Sequence, residues 1–175
     1  MLARRESGPQ RGQSERDKEE ARGQPRDKKG RLTSCTFTWS ATANPPATSG
    51  SCFLACGTIL REAVQVQKLL EERGCSVTLY SVPRVQPLDE EAVLACAAGH
   101  RAVFTMEEHG ITGGLGSAVA ELLMERGQYP AVFHRYGVPD SFAMLTGSRD
   151  YQLDYFGLSP QKAAADMWKR WSDRK

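Results

Sequence analysis

The sequence predicts an α/β domain built in three layers, with helices covering both faces of a mostly parallel, mixed sheet of about five strands. Three observations support this fold class. Short apolar runs of strand length recur along residues 52–133. Segments of helical length separate them, with apolar residues spaced three or four positions apart. A glycine follows each of the first three helical segments, where helices commonly end.

The first predicted strand is Cys52–Cys56, an uninterrupted apolar run of the kind found in strands covered on both faces. Gly57 then turns the chain into a helix that Thr58 is expected to cap. Gly74 is expected to end this helix. A second buried strand is predicted at Ser76–Tyr80. The apolar stripe of the helix consists of Ile59, Ala63, Val66 and Leu70.

A connection with two prolines, Val82–Pro87, precedes the second helix. Asp89 and the two glutamates after it place acids in the first turn, where they complement the helix dipole. Gly99 is expected to end this helix. The third strand is predicted at Arg101–Met106.

A third helix is predicted after a glycine-rich turn, and Gly127 is expected to end it. A fourth strand is predicted at Ala131–Phe133. Ser159-Pro160 is a typical helix start, with a capping residue followed by proline. The inner stripes of these two helices are Leu115, Ala118, Val119, Leu122 and Leu123 for the third, and Ala164, Met167, Trp168 and Trp171 for the last.

The composition changes near residue 51. Residues 1–31 have almost no apolar side chains, and residues 32–51 are rich in Ser, Thr, Ala and Pro. Segments with so little to bury cannot offset the entropy cost of ordering. We therefore expect residues 1–51 to be a disordered basic and polar leader and linker, and residues 52–175 to form the α/β domain. Phe37–Trp39 is compatible with a short strand inside the linker.

The net charge of +2 is unevenly distributed. Residues 1–34 hold ten Lys/Arg and six Asp/Glu, so the rest of the chain is mildly acidic. Because acids are interspersed among the arginines without aromatic residues for base stacking, we expect a solvated tail and no nucleic-acid partner. No apolar stretch approaches the about 18 residues of a membrane helix, and the start does not resemble a secretory signal. No membrane association and a cytoplasmic location are therefore expected.

The five cysteines show neither a CxxC pair nor a metal-type spacing with histidine, so no metal site is expected. Four of them lie in or beside apolar runs, where a free cysteine acts as a small hydrophobic residue. The odd number favours a reducing compartment. The cysteines are Cys35, Cys52, Cys56, Cys75 and Cys96.

The candidate functional residues follow the third predicted strand. Groups at the carboxyl ends of parallel strands collect at one edge of the sheet. Glu107, Glu108 and His109 are one candidate set, with the chemistry of a general acid and base. Consecutive carboxylates on a strand point in opposite directions, however, so both cannot serve one site without a bend.

The glycines after these residues allow two interpretations. Gly113, Gly114 and Gly116 can expose helix N-terminal amides to a phosphate or another anion. They can equally allow a sharp turn and the close packing of a helix or a partner chain. The spacing lacks the third small residue of a dinucleotide fingerprint and is not followed by a P-loop lysine.

The run EEHGITGGLGSAVAELL, starting at Glu107, resembles the signature of the transketolase carboxy-terminal domain, in which a strand ending in an acidic pair leads to a Gly-Gly-x-Gly helix start. The resemblance extends in register over residues 52–171. Further matching segments are Leu54–Thr58, Val82–Asp89, Tyr136–Phe142, Gly147 and Leu158–Pro160.

The resemblance implies a non-catalytic C-terminal domain or subunit of a thiamine-diphosphate-dependent enzyme of ketol transfer between sugar phosphates. Transketolases, deoxyxylulose phosphate synthases and 2-oxoacid dehydrogenase beta subunits share this domain, and two other domains hold their thiamine diphosphate and magnesium. The sequence has no Gly-Asp-Gly magnesium motif. We therefore expect the chain to bind no cofactor, to be inactive alone, and to assemble with a cofactor-bearing partner or as a homodimer. Glu107, Glu108 and His109 would then be interface residues, with no catalytic residue in this chain.

Two other interpretations remain open. One is a stand-alone binding module that holds an anionic metabolite at the Gly113–Gly116 helix start, with Arg84 or Arg135 nearby. The other is a truncated fragment without activity. Assembly with a partner predicts an exposed apolar patch where the partner packs. The candidates for that patch are Trp39, Tyr151 and Tyr155-Phe156.

Overall fold

The computed structural model describes residues 37–39, by their backbone, and residues 50–141 and 146–173. Five strands form one sheet in the order β1-β3-β2-β4-β5. β1 runs antiparallel to β3, and the other three pairings are parallel. The strands are β1 Phe37–Trp39, β2 Ser51–Cys56, β3 Val77–Ser81, β4 Ala102–Gly110 and β5 Val132–Val138. The predicted mixed, mostly parallel sheet is confirmed.

Five α-helices surround the sheet in the described residues: α1 Leu60–Glu71, α2 Glu90–Ala98, α3 Leu115–Glu125, α4 Arg149–Tyr155 and α5 Pro160–Ser172. The core residues of α1 and α5 pack on one face of the sheet, and those of α2 and α3 pack on the other. The three predicted layers are therefore present. None of these helices has both the length and the apolar composition needed to cross a membrane.

β2 shows why a continuous apolar run fits the middle of such a sheet. Alternate residues of a strand point to opposite faces. Phe53 and Ala55 pack into the core beside α1 and α5, and Cys52 and Leu54 pack into the core beside α2 and α3. All four are at most 1% exposed. The strand begins one residue earlier than predicted, at the buried Ser51.

Two strands continue beyond their predicted ends. β4 was expected to stop at Met106 but extends to Gly110, and β5 extends to Val138. Met106 pairs with Tyr136, and after an irregularity Gly110 pairs with Val138. The added segments, 107–110 and 134–138, lie in strands because pairing with neighbouring strands satisfies their backbone groups. Apolar periodicity in the sequence does not reveal this pairing.

The helix starts differ in detail from the prediction. Thr58 is part of a 3₁₀ turn, Gly57–Ile59, and α1 has no side-chain cap, so the expected Thr58 cap is wrong. Asp89 lies just before α2 and caps it by accepting from the Ala92 amide at 3.1 Å. Ser159 holds the cap position of α5, but its hydroxyl donates to Asp154 at 2.8 Å.

The sequence patterns missed α4 entirely. It is short, Ser148 caps it by accepting from the Tyr151 amide, and Leu153 is its one fully buried residue. One inward residue in seven produces no recognisable stripe. Within the predicted leader, residues 37–39 form β1 and Ser51 begins β2. The other residues of the leader up to position 49 lie outside the described residues, and so does the prediction of disorder for them.

Candidate functional site

The predicted site residues meet at the carboxyl ends of β2 and β4. These strands are parallel neighbours, and Cys56 is in register with Glu107. The 3₁₀ turn follows β2, and the glycine-rich turn follows β4. Consequently Thr58, which is far from Glu108 in sequence, donates its hydroxyl hydrogen to that carboxylate at 2.6 Å.

Glu107 is a completely buried carboxylate that caps α3. Its Oε2 accepts from the Leu115 amide at 2.8 Å, and its Oε1 accepts from the Gly116 amide at 3.0 Å. α3 receives no cap from the residue before it, Gly114. The charge of Glu107 also lies at the positive end of the helix dipole. One side chain therefore supplies the cap and the counter-charge that helix α3 otherwise lacks.

Gly114 and Gly116 are explained by close approach. A Cβ atom at Gly114 would lie 1.9 Å from Oε2 of Glu107. A Cβ at Gly116 would lie 2.8 Å from both the Cδ of Arg135 and the hydroxyl of Thr105. These glycines let the helix start approach the end of β4, as the packing interpretation requires.

Gly113 has a different role, because its φ of +77° is a conformation that residues with a side chain rarely adopt. Its amide donates to the Ser117 hydroxyl at 3.0 Å. The Arg135 guanidinium donates to the same hydroxyl at 2.9 Å and to the Ile111 carbonyl at 3.1 Å. Arg135 of β5 thus stabilises the glycine-rich turn, and its guanidinium already donates hydrogen bonds within the chain. Arg84 lies exposed in the connection after β3.

His109 covers the solvent side of the buried carboxylate. Its Nε2 lies 3.3 Å from Oε2 of Glu107, and its side chain is 60% exposed. Its Nδ1 lies 3.3 Å from the carbonyl of Gly110. The histidine therefore separates Glu107 from solvent at the edge of the sheet.

Glu108 points to the other face of the sheet, as expected for consecutive residues of a strand. The Arg149 Nε donates to Oε1 of Glu108 at 2.6 Å, and its Nη2 donates to Oε2 at 2.6 Å. The same guanidinium donates to both oxygens of Glu62, at 2.8 and 3.0 Å. Arg149 thereby ties the start of α4 to α1 and β4 through two bidentate contacts.

The charges in this cluster perturb one another. Hydrogen bonds from Arg149 hold the pKa of Glu62 and that of Glu108 below their ordinary values, although burial acts in the opposite direction. The same two carboxylates raise the pKa of Arg149, mainly through hydrogen bonds. All three groups are therefore ionised at neutral pH.

Sequence reasoning missed Glu62 and Arg149. Glu62 is 5% exposed and lies beside Ala63 on the inward side of α1. A charged residue on an apolar helix face was the available signal, because buried charges need partners. Arg149 carried no comparable signal, since it starts a helix that the sequence patterns did not predict.

The candidate interface residues are partly confirmed as exposed. Tyr151 and Tyr155 of α4 are 47% and 51% exposed. Tyr155 stacks edge-on against the half-buried Phe156, with ring centroids 5.0 Å apart. Met124 and Tyr129 are the other large apolar residues found exposed in the described part of the chain. The side chain of Trp39 lies outside the described residues.

The cysteines require a correction. Cys52 and Cys96 form a disulfide that joins β2 to α2, with Cα atoms 6.3 Å apart, so the prediction of free thiols is wrong for this pair. The α/β fold places α2 directly over β2, which sequence spacing could not show. Cys56 and Cys75 retain their thiols. Burial raises the pKa of Cys56, and Glu107 adds to this. Cys35 lies outside the described residues.

The structure is a three-layer α/β domain. Its two strand-end carboxylates, Glu107 and Glu108, both accept hydrogen bonds from other groups of the same chain. Residues 49–163 match the family described as "Transketolase, C-terminal domain". The chain therefore belongs to the transketolase C-terminal domain family, and the resemblance inferred from the sequence is confirmed.

Individual relatives agree with this membership. The chain is 35% identical over 122 residues to a 1-deoxy-D-xylulose-5-phosphate synthase of Pelotomaculum thermopropionicum, covering 70% of this chain and 19% of that protein. It is 39% identical over 120 residues to a 6-deoxy-6-sulfo-D-fructose transketolase subunit of Clostridium sp., covering 67% and 36%. The solved structure of a split-gene transketolase, an inactive beta4 tetramer, superimposes with a TM-score of 0.64 at 28% identity and covers 82% of this chain and 43% of that one. The chain thus spans only a fifth to about two fifths of these proteins.

Proposed function

We propose that this domain is the non-catalytic C-terminal part of a thiamine-diphosphate-dependent, transketolase-like enzyme. Its role is assembly with a domain or subunit that binds the cofactor and carries out ketol transfer between sugar phosphates. The family match and the subunit named among its relatives support this proposal. The proposed setting of the enzyme is carbohydrate metabolism in the cytoplasm.

The observation that carries the proposal is the internal pairing of both strand-end carboxylates. Glu107 is buried and bonded to two helix amides, and Glu108 is bonded to Arg149 and Thr58. A general base must reach the proton that it removes, and a carboxylate that activates a cofactor must face it. Neither carboxylate is placed to do so. The pairing of these two carboxylates supports assigning thiamine diphosphate and its magnesium to the partner.

Two exposed tyrosines are the proposed contact with the partner or with a second copy of the chain. Tyr151 and Tyr155 project from α4, which Arg149 fixes against α1 and β4. Exposed tyrosines on a rigid element are favourable interface residues because they bury a large area at a small entropy cost. The hydrogen bonds of Arg149 with Glu62 and Glu108 hold α4, and therefore both tyrosines, in a fixed position.

The experiment compares the purified chain, the cofactor-bearing subunit and their mixture, each with thiamine diphosphate and Mg²⁺. We expect no turnover of a ketose phosphate by the chain alone, and activity or complex formation on mixing. Replacing Tyr151 and Tyr155 by Ser should weaken the complex, whereas replacing Met124 and Tyr129 by Ser serves as the matched control. Cofactor binding and turnover by the isolated chain would contradict the proposal, and so would the absence of any complex.

The alternative of an anion-binding module receives less support. Leu115 and Gly116, the first amides of α3, already donate to Glu107, and the Arg135 guanidinium donates to the turn. An external anion would have to displace a buried carboxylate of the same charge. A rise in melting temperature with sugar phosphates, in the absence of any protein partner, would favour this alternative.

A further inference from the structure

A second cluster of reactive side chains lies near the beginning of β2, at the opposite end of the strand from the strand-end site. Cys52 of β2 is fully buried, and Cys96 of α2 is 5% exposed. The two sulfurs are joined as a disulfide. A ring nitrogen of His100 and both sulfurs lie within 4.8 Å of one another. Two sulfurs and an imidazole are a ligand set that Zn²⁺ prefers.

The hydrogen bonds of His100 hold the ring in one orientation. Its Nδ1 lies 2.7 Å from the Cys96 carbonyl, and its Nε2 lies 3.0 Å from the Thr78 hydroxyl. Because a carbonyl only accepts, Nδ1 is the donor to Cys96, and in the neutral ring Nε2 is the acceptor that faces the Thr78 hydroxyl. Metal-binding histidines commonly donate their second ring N–H to a backbone carbonyl in this way, which fixes the tautomer.

Thr78 belongs to the same cluster, because it is the cross-strand neighbour of Cys52 in the β2–β3 pair. Neighbouring residues on paired strands point to the same face of the sheet. The lone pair of His100 is therefore directed to a residue that lies next to one of the two sulfurs. His100 is only half-buried, so an ion can reach the cluster from solvent.

We propose that reduction of the Cys52–Cys96 disulfide creates a zinc site formed by the two thiolates and His100. An added phosphine or dithiol supplies two electrons, the S–S bond breaks, and two protons are taken up to give two thiols. Binding of Zn²⁺ then releases both thiol protons to solvent. Tetrahedral Zn²⁺ with Zn–S of about 2.3 Å separates its ligand atoms by roughly 3.5–3.8 Å, within reach of side-chain rotations in this cluster.

The site is redox-dependent because the same two sulfurs serve either the disulfide or the ion. In oxidising surroundings the disulfide connects β2 to α2. In reducing surroundings the thiols persist, and zinc restores a connection between the same elements together with His100. The inference does not depend on the proposed function, since it involves neither the strand-end carboxylates nor α4.

The test titrates the full chain with Co²⁺ as a spectroscopic probe and measures bound zinc by elemental analysis, before and after phosphine reduction. We expect one ion per reduced chain, with thiolate-to-cobalt charge-transfer absorption, and none per oxidised chain. His100→Gln and Cys52→Ser should each weaken binding at least about tenfold. Cys56→Ser, which removes a thiol of the same strand outside the cluster, should leave binding unchanged.

A second measurement uses no variant, so its result does not depend on whether the Cys52→Ser chain folds. Zinc should slow the alkylation of Cys52 and Cys96 in the reduced chain, but not that of Cys56, as followed by mass spectrometry of the peptides. Absence of metal uptake after reduction, or uptake that Cys56→Ser abolishes, overturns the proposal. So does unprotected alkylation of Cys52 and Cys96 at saturating zinc.

Discussion

The buried carboxylate of Glu107 is expected to be a main determinant of the stability of the domain. Replacing Glu107 by Ala removes the acceptor of the Leu115 and Gly116 amides, both in a region closed to water. A buried donor left without a partner costs about 1–3 kcal/mol, so two such donors cost about 2–6 kcal/mol. Glu107→Gln keeps one acceptor oxygen and should cost about half as much, because its amide NH₂ faces a donor.

These expected losses are large compared with the free energy of unfolding of an ordinary domain, which is about 5–15 kcal/mol. The assay is urea unfolding at pH 7, followed by far-ultraviolet circular dichroism and tryptophan fluorescence, with the free energy of unfolding extrapolated to water. Glu121, an exposed acid of the same helix, provides the matched control, and Glu121→Ala should change stability by at most about 0.5 kcal/mol. A loss below about 1 kcal/mol for Glu107→Ala, or an equal loss for both variants, would refute the capping argument.

Three further changes test other parts of the structure. Gly114→Ala places a Cβ atom 1.9 Å from the Glu107 carboxylate, so it should destabilise the domain about as much as loss of that carboxylate, measured by urea unfolding. Arg149→Met should remove the pH dependence of stability that its two carboxylate partners produce below pH 4.5, measured as urea midpoints between pH 7 and pH 3. Tyr136→Phe removes a 2.7 Å hydrogen bond to Asp166 and should cost about 1.5–3 kcal/mol in the same assay.

The sign of the Arg149 effect follows from the direction of the shifts. The folded-state pKa values of Glu62 and Glu108 lie below their ordinary value of 4.5, so the ionised forms stabilise the folded state. Their contribution is complete above pH 4.5 and is lost as the pH falls through the lowered values. A difference between wild type and Arg149→Met that is equal at pH 7 and pH 3 would contradict this.

The other two changes have their own controls. Gly99→Ala introduces a Cβ atom whose nearest neighbour is 3.5 Å away, at a φ of −84°, so it should be tolerated where Gly114→Ala is not. For Tyr136→Phe, Asp166 keeps its 2.6 Å bond from Arg170, so α5 should remain folded. Burial, followed by the bond to Asp166, raises the pKa of Tyr136. An unchanged stability of Tyr136→Phe would show that this bond contributes nothing.

Much of the fold followed from sequence patterns with a local physical origin. The apolar run at Cys52–Cys56 predicted a strand buried on both faces, and β2 is the central strand between β3 and β4. Ser159 before Pro160 predicted the start of α5, where the structure has it. α4 could not be found in this way because its stability comes from the long-range contacts of Arg149 and from Leu153 in the core.

The sequence alone determined the layered α/β class, the family and the location of the glycine-rich turn, because strand runs, helix periodicity and glycine signals are local in the chain. Only the tertiary structure decided which groups the candidate residues contact. In the structure, Glu107 accepts hydrogen bonds from the amides of α3, and Glu108 accepts hydrogen bonds from Arg149. Cys52 forms a disulfide with Cys96 beside His100. Partners so far apart in sequence are brought together by the sheet register and by the packing of helices on its faces, and no local pattern encodes either.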